Sequence, residues 1–290
     1  MLAQVLVSGL VIGCIYGLIA LGYSLIYRAS GLMNFCQGDI LTIGAFTGYT
    51  FYVLLKLPFF AAFILTIIVM VALGMLLERG VIRRLLGKNV GGIYIVLATI
   101  AVSYMLQNGA MLGWGTRIFY FPPIFDVMSV RIFDINIQSE AAFCIVVSVV
   151  LMIALHIFVK YTAYGTAMRA SAMDAKAARA CGVDPSMTTA VTWGISAAIA
   201  GLGGMLIGPV YGVFITLGAA IGRKGFAGAV IGGFGNMYGA LLGGALLGIV
   251  ETVTSAYISS VYRDVVSYGL LLVFLFVKPT GIFNERAIAD

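Results

Sequence analysis

Four polar side chains lie inside or beside apolar runs long enough to cross a bilayer, and they are candidates for contacting a solute. Asn34, Gln37 and Asp39 form one group flanked by glycines, and Glu251 is an isolated carboxylate in a later run. Polar groups are costly to bury at membrane depth, and glycine can interrupt a helix. All four are therefore predicted to line a translocation path. The alternatives are that Asp39 caps the second span above an inner turn, and that Glu251 pairs locally or lies near the interface.

The sequence contains none of the usual signatures of catalysis or nucleotide binding. The nearest approach to a Walker A loop, Gly80 to Asn89, has the wrong spacing and lacks the Ser or Thr that would hold magnesium. His156 is the single histidine, and no Gly-x-Ser-x-Gly elbow is present. The four cysteines are widely separated, so they predict neither a disulfide framework nor a metal cluster. We therefore expect no enzymatic activity, no ATP binding by this chain itself and no cofactor in it.

The composition indicates what kind of protein must position these groups. Hydrophobic residues make up 62% of the 290 residues and charged residues 10%. Each crossing of a ~30 Å hydrocarbon layer takes roughly 20 helical residues, so the chain has room for about eight or nine helices. An all-α polytopic membrane protein is predicted, with residues 1–290 forming one transmembrane domain. The net charge of +6 is explained by basic inner loops and requires no nucleic-acid partner.

Eight apolar runs predict eight transmembrane helices. A further glycine-rich run, 224–235, would rise only ~18 Å as a helix, which is too short to cross alone. It is predicted to be a broken or re-entrant helix that faces the interior of the assembly. The predicted spans are 5–27, 38–56, 58–79, 92–112, 139–160, 186–208, 238–259 and 264–279.

Basic residues in the connecting segments predict the orientation, because Lys and Arg concentrate in short cytoplasmic loops. Two basic clusters, at 79–88 and 160–179, are separated by two spans and are both assigned to the inner side. The connection from Gly113 to Glu140 is then an outer loop, and the N-terminus lies outside. The C-terminus lies inside if 224–235 counts as a crossing, and outside if that segment is only re-entrant.

One long polar segment, 161–185, interrupts the apolar sequence on the predicted inner side. Ser171 is placed to cap a short helix, and Gly182 can end that helix in the left-handed conformation. Asp184 can cap the next helix, and Pro185 fits its first position, where no backbone N–H is needed. The segment is therefore predicted to form a short interfacial helix, a sharp turn and the start of a new span.

The predicted helix, 172–181, has one face of small side chains. Alanines recur every three residues from Ala172 to Ala178, and Lys176 and Arg179 extend beside them. A ridge of small residues edged with charge could fit a groove on another protein. The alternative is a solvated interfacial loop with no partner.

Five segments resemble one family of membrane proteins. In the polar segment, Arg169-Ala170-x-Ala172-x-Asp174, followed by Ala178 and Gly182-Val183, resembles the coupling loop of ABC importer permeases, in the form found in branched-chain amino acid permeases of the LivH type. Four other segments are similar to that family in the same order, and co-linear matches at five places are more specific than any one. These four segments are 17–27, 31–39, 226–235 and 278–282.

The resemblance implies a function and a set of partners. The chain would be the permease of an ATP-driven importer for branched-chain or other hydrophobic amino acids in the bacterial inner membrane. It would share the passage with a second permease, typically as a heterodimer, and a soluble substrate-binding protein would deliver the solute. Two ATP-binding cassette subunits would carry ATP and Mg. The implied coupling residues are Arg169, Ala172, Asp174, Lys176, Ala178, Arg179, Gly182 and Val183.

The sequence also leaves open other substrates and a different energy source. Few polar side chains are available to hold a zwitterion, so we expect weak substrate contacts. The resemblance implies that the binding protein provides most of the selectivity. Permeases of the same type could carry urea, short amides, or aromatic and other small carboxylates. An ion-coupled secondary transporter would need paired ionisable groups and inverted repeats, whereas the sequence shows isolated carboxylates and no convincing repeat.

Overall fold

The computed structural model describes residues 2–88, 91–124, 129–132 and 135–283. Over these residues the chain is a helical bundle, which confirms the predicted all-α membrane class. The helices, numbered along the chain, are α1 Leu2–Ser30, α2 Gln37–Tyr49, α3 Phe59–Leu77, α4 Arg83–Leu86, α5 Gly92–Trp114, α6 Ser139–Tyr161, α7 Ala163–Met173, α8 Ala175–Ala180, α9 Pro185–Tyr211, α10 Leu217–Gly232, α11 Met237–Tyr257 and α12 Arg263–Val277.

Short irregular elements extend or join these helices. A π-helical turn, Thr50–Leu54, continues α2, and a second one, Glu78–Ile82, joins α3 to α4. A 3-10 turn, Ser260–Tyr262, precedes α12. The predicted outer loop, part of which lies outside the described residues, contains two antiparallel strands, β1 Ser129–Ile132 and β2 Ile135–Gln138.

Among the described residues, seven helices are long and apolar enough to cross a membrane. The eighth predicted span, 38–56, is helical as α2 and its π-helical turn, but it is not one of these seven. The seven segments are Leu2–Ser30, Phe59–Leu86, Gly92–Trp114, Ser139–Tyr161, Pro185–Tyr211, Met237–Tyr257 and Ser260–Val277.

The centre of the bundle is formed by α1, α9 and α11. Helix α9 packs against α1, α2 and α3, and α1 packs along α11. Gly13 lies against the backbone of Ala245, so a larger residue there would force the two helices apart. Such close backbone contact is a main source of cohesion in lipid, where no hydrophobic force drives helices together. Helices α3, α5, α6 and α12 have much more exposed apolar faces.

Helix α10 is longer than the predicted segment 224–235. It has 16 residues, begins at Leu217, and would span roughly 24 Å. Its C-terminal end contacts the C-terminal turn of the chain, where Ile282 N donates to Ile231 O at 2.9 Å. The ring of Phe234 packs edge-to-face on Tyr27, near the inner end of α1. The C-terminal turn therefore lies at the same end of the bundle as the end of α1, as expected if the segment counts as a crossing.

Candidate functional site

Helices α2 and α10 begin in contact with each other, inside the bundle. Gly38 and Gly218 are packed so closely that a methyl group on either would collide with the carbonyl oxygen of the other. The hydroxyl of Thr42 accepts a hydrogen bond from Gly218 N at 2.9 Å. At the start of α2, Gln37 Nε2 donates to the carbonyl oxygen of Ser196, midway along α9. The chain therefore interrupts two of its helices at the same place in the bundle interior.

A cavity of about 490 Å³ lies beside these two helix starts. Its floor is buried and includes Gly38, Asp39 and Gly218, whereas Tyr104 and Arg223 at its rim are exposed. Helices α2, α5, α10 and α12 contribute the walls, together with Tyr23 of α1 and Phe35 just before α2. The cavity therefore reaches from the surface to the point where α2 and α10 meet.

Asp39 is the predicted path residue that lines this cavity. Its carboxylate accepts hydrogen bonds from Ser103 Oγ and, at 2.8 Å, from Gln107 Nε2, both on α5. Asp39 lies in the first turn of α2, and Cys36 occupies the N-cap position. The alternative prediction that Asp39 caps this helix is therefore wrong. Sequence reasoning missed Ser103 and Gln107, although their spacing of four residues places them on one helix face.

Arg223 is a second cavity residue that sequence reasoning missed. It extends from α10, is exposed, and forms neither a hydrogen bond nor an ion pair within the described part of the chain. The predicted short segment began at position 224, which left Arg223 in a supposed loop. The sequence feature that could have identified it is the pair Arg223-Lys224 beside a glycine-rich apolar run, because charged residues at membrane depth indicate functional sites.

Asn34 and Gln37 lie next to the cavity but do not line it. Asn34 Nδ2 donates to Gln37 Oε1 at 3.2 Å, and Asn34 Oδ1 accepts from Cys36 N at 3.1 Å. Both side chains are buried, and their amides hold the interruption between α1 and α2. Their place on a translocation path stays a prediction.

Glu251 pairs locally, which was the alternative prediction for this residue. Its Oε1 lies 2.8 Å from Lys224 Nζ and 3.0 Å from Arg263 Nε, and it accepts from the hydroxyl of Tyr16 at 3.2 Å. Lys224 also contacts Asp264 at 2.8 Å. The description of Glu251 as an isolated carboxylate is therefore wrong. It belongs to a cluster of two acids and two bases that joins α10, α11 and α12.

The polar segment 161–185, on the predicted inner side, forms two helices instead of the predicted single helix 172–181. Ser171 lies within α7, so its predicted capping role is wrong. Asp174 caps α8 by accepting from Lys176 N at 2.7 Å and Ala177 N at 3.1 Å. The backbone N–H groups of Ala177 and Lys176 hold the pKa of Asp174 below its usual value.

The turn after α8 agrees with the sequence prediction. Gly182 has φ +83°, the left-handed conformation that ends the helix. Asp184 caps α9 by accepting from Ser186 N at 2.9 Å, and Pro185 occupies the first position of α9. Val183 N donates back to Ala178 O at 3.0 Å, which closes the turn.

The predicted ridge of alanines is not one continuous outward face. Ala172 belongs to α7, and Ala178 is buried against the chain itself. The exposed surface is instead the tip formed by the end of α7 and the outer side of α8. Its exposed residues include Met173, Asp174, Ala175, Lys176, Ala177, Arg179 and Ala180.

Two arginines fix the helices on either side of this projection. Arg169 donates to the carbonyl oxygens of Val159 at 3.0 Å and Lys160 at 3.3 Å, so α7 is fixed to the end of α6. Arg83 donates to the carbonyl oxygen of Ser186 at 2.8 Å and pairs with Glu78 at 3.1 Å, which fixes the start of α9 to α4. The tip therefore lies between two fixed points: α7 is attached to the end of α6, and the start of α9, which follows the turn after α8, is attached to α4.

The comparisons with known proteins agree with the resemblance seen in the sequence. The family model described as "Branched-chain amino acid transport system / permease component" matches residues 5–275. The permease protein LivH of a high-affinity branched-chain amino acid transport system in Salmonella typhimurium is 36% identical, over 98% of this chain and 96% of that protein. The corresponding protein BraD of Pseudomonas aeruginosa is 35% identical over the same shares.

A more distant relative is a probable branched-chain amino acid transport permease of Methanocaldococcus jannaschii, 27% identical over 91% of this chain and 87% of that protein. No solved structure matches the chain. The permease relatives and the seven apolar helices indicate a multi-pass protein of the inner membrane. The chain belongs to the family of permease components of branched-chain amino acid transport systems.

Proposed function

We propose that the chain is a permease subunit of an ATP-driven ABC importer for branched-chain or other hydrophobic amino acids. The observation that carries the proposal is the nearly full-length match to permeases named for branched-chain amino acid transport. The chain has no nucleotide-binding motif of its own. ATP and Mg are therefore assigned to two partner cassette subunits, and ATP hydrolysis to them.

The projection formed by α7 and α8 is the proposed docking point for a cassette subunit. Its tip exposes one negatively charged side chain, Asp174, and two positively charged ones, Lys176 and Arg179. Small alanines and the 73% exposed side chain of Met173 lie beside them. Arg169 fixes α7 to the end of α6, and Arg83 fixes the start of α9, which follows the turn after α8, to α4, so a push on the tip would reach two membrane helices. Gly182 and Val183 support docking by shaping the turn behind α8.

The cavity beside α2 and α10 is the proposed part of the translocation path. Two of its walls, α5 and α12, also carry many exposed apolar side chains, including Tyr104 and Leu272. A second permease subunit that covers these faces would complete the passage between the two chains. Asp39 is the path residue that this geometry favours, and Glu251 is proposed to stabilise the helices beside it.

Reconstitution into proteoliposomes tests the proposal. The chain would be assembled with its second permease, the cassette subunits and the binding protein, and uptake of labelled L-leucine measured with and without ATP on the cassette side. We expect uptake that requires ATP, magnesium and the binding protein. Uptake of L-leucine by this chain alone, driven by an ion gradient without nucleotide, would overturn the proposal in favour of an ion-coupled transporter. ATP-driven uptake of urea or an aromatic acid in place of leucine would correct the substrate only.

A further inference from the structure

We propose that Arg223 and Asp39 form a subsite for the head group of a zwitterionic amino acid, with the guanidinium holding the substrate carboxylate and the Asp39 carboxylate holding its ammonium group. The inference rests on the proposed function and deepens it. It assigns substrate recognition to the permease chain itself, in addition to any selection by a binding protein.

The first observation is the state of Arg223. A guanidinium at membrane depth is expensive unless it is paired or serves a pathway. Arg223 lines the cavity and has no hydrogen bond or ion pair to any residue that the structure describes, and its charge acts on the Asp39 and Asp264 carboxylates only at longer range. The neighbouring Lys224, in contrast, is fully engaged with Glu251 and Asp264. Arg223 therefore offers five donors in a planar fork, which is the geometry that binds a carboxylate through two parallel hydrogen bonds.

The second observation is the fixed orientation of Asp39. Its side chain is 3% exposed, and each of its oxygens accepts one hydrogen bond, from Gln107 and from Ser103. A carboxylate has about four lone-pair sites, so each oxygen can accept a further bond. Because the donors on α5 already hold Asp39 in place, an incoming ammonium group would not have to order it. Such preorganisation lowers the entropic cost of binding.

The third observation is the character of the remaining walls. The cavity volume of about 490 Å³ is within the range of small-molecule sites. Apolar surface for a branched side chain comes from Ile100, Phe226 and Leu271. A neutral amide would leave both charged groups without a partner, and a plain carboxylate would face repulsion from Asp39. The arrangement therefore fits a hydrophobic zwitterion better than either alternative, and it revises the expectation of only weak substrate contacts.

A labelling experiment on the complete reconstituted complex tests the subsite. Cys181 is an exposed native cysteine and would be replaced by serine, because the reagent could reach it. Cys14, Cys36 and Cys144 are buried and would be kept. The substitution Tyr104→Cys would then place an accessible thiol at the rim. We expect L-leucine to slow its modification by a methanethiosulfonate reagent. Isoamylamine, which lacks the carboxylate, and 4-methylpentanoate, which lacks the amine, should each require about ten- to a hundredfold higher concentration.

Variants at Arg223 assign the carboxylate contact. In Arg223→Gln, L-leucine and isoamylamine should protect the thiol at the same concentration. In Arg223→Lys, L-leucine should still protect at a somewhat lower concentration than isoamylamine. The matched control is Arg117→Gln, which removes one exposed positive charge away from the cavity and should leave protection unchanged. Size-exclusion chromatography and binding-protein-stimulated ATP hydrolysis would report on assembly of each variant.

Two results would overturn the inference. One is equal protection by L-leucine and isoamylamine in the complex with native Arg223, a comparison that does not depend on any Arg223 variant folding. The other is unchanged leucine preference in an assembled Arg223→Gln complex. Either result, together with ATP-dependent leucine uptake, would remove the subsite and leave the proposed function standing. Failure of the proposed function would appear separately, as uptake that needs no nucleotide.

Discussion

Lys224 and Glu251 form an ion pair between α10 and α11, with Nζ and Oε1 2.8 Å apart and side chains only 7% and 1% exposed. Arg263 and Asp264 extend the pair into a cluster at the start of α12. The four formal charges cancel, and the two buried ones, on Lys224 and Glu251, neutralise each other, which is a condition for keeping ionised groups in a water-poor interior. Since α12 is otherwise little buried, this cluster is a principal attachment of that helix.

Substituting one member of the pair should destabilise the subunit. Lys224→Met would leave the Glu251 carboxylate without its closest buried partner, at a cost of about 3 kcal/mol. The measurement is the thermal unfolding temperature of the purified complex in detergent. The double variant Lys224→Met with Glu251→Leu should lower the unfolding temperature by less than the sum of the two single variants, because it leaves no unpaired charge in this pair. Additive losses would contradict the account.

The contact between the starts of α2 and α10 should not tolerate a side chain. Gly218→Ala would push a methyl group against the Gly38 carbonyl oxygen and the Thr42 hydroxyl, and we expect a loss of roughly 1–3 kcal/mol in stability. The matched control is Gly109→Ala in α5, where the added methyl group would meet no described atom within 4 Å beyond its chain neighbours and the backbone of its own helix. That change should be neutral or stabilising by about 0.5–1 kcal/mol, because alanine favours helix. Equal effects of both changes would count against the close contact.

The bridge from Arg83 to the start of α9 should matter for coupling. Arg83→Gln removes the guanidinium that holds the carbonyl oxygen of Ser186 and neutralises Glu78. We expect less substrate moved per ATP hydrolysed, because the start of α9, which follows the projection in the chain, would be less firmly attached to α4. Arg84→Gln, which removes an exposed neighbouring charge, is the control and should keep the ratio of uptake to hydrolysis. Identical ratios in the two variants would exclude the bridge as a transmitting contact.

Asp174 should affect the coupling of uptake to ATP hydrolysis through the hydrogen bonds by which it caps α8. Asp174→Ala removes the acceptor for the N–H groups of Lys176 and Ala177, and uptake per ATP should fall. Asp174→Asn keeps an acceptor oxygen and should retain most of the coupling. The lowered pKa of Asp174 means that its charged cap is complete above the ordinary carboxyl pKa and is lost only as pH falls through the lowered value. Coupling should thus show no titration from this group near neutral pH, and equal defects in the two variants would argue against capping.

Local sequence rules predicted the parts of this protein that depend on neighbours in the chain. Hydrophobic runs predicted the long helices, and the order Gly182, Asp184, Pro185 predicted the turn, since each residue acts on backbone groups within a few positions. The same rules failed at α7 and α8, because both Ser171 and Asp174 are good caps. In the structure α7 continues through Ser171 and is held on α6 by Arg169, and Asp174 is the residue that caps.

Tertiary contacts set what the sequence did not reveal. The partners of Glu251 are Arg263, Lys224, which is 27 residues away, and Tyr16, which is 235 residues away, and they lie on three other helices, so no local pattern indicates the cluster. The start of α10 at Leu217 lies in close contact with α2, and Arg223 lines the cavity beside it. The polar environment of Asp39 likewise needs α5 to lie beside α2.

Cross-linking from α8 tests the central claim of ATP-driven coupling most directly. A photoreactive amino acid at Ala177, which is exposed on the outer side of α8, would be compared with one at Gly113 at the other end of the bundle. We predict that position 177 cross-links to the cassette subunit in the assembled complex, with a yield that changes when ATP is added, and that position 113 does not. Absence of any cross-link from position 177 in a complex that transports leucine with ATP would contradict the account.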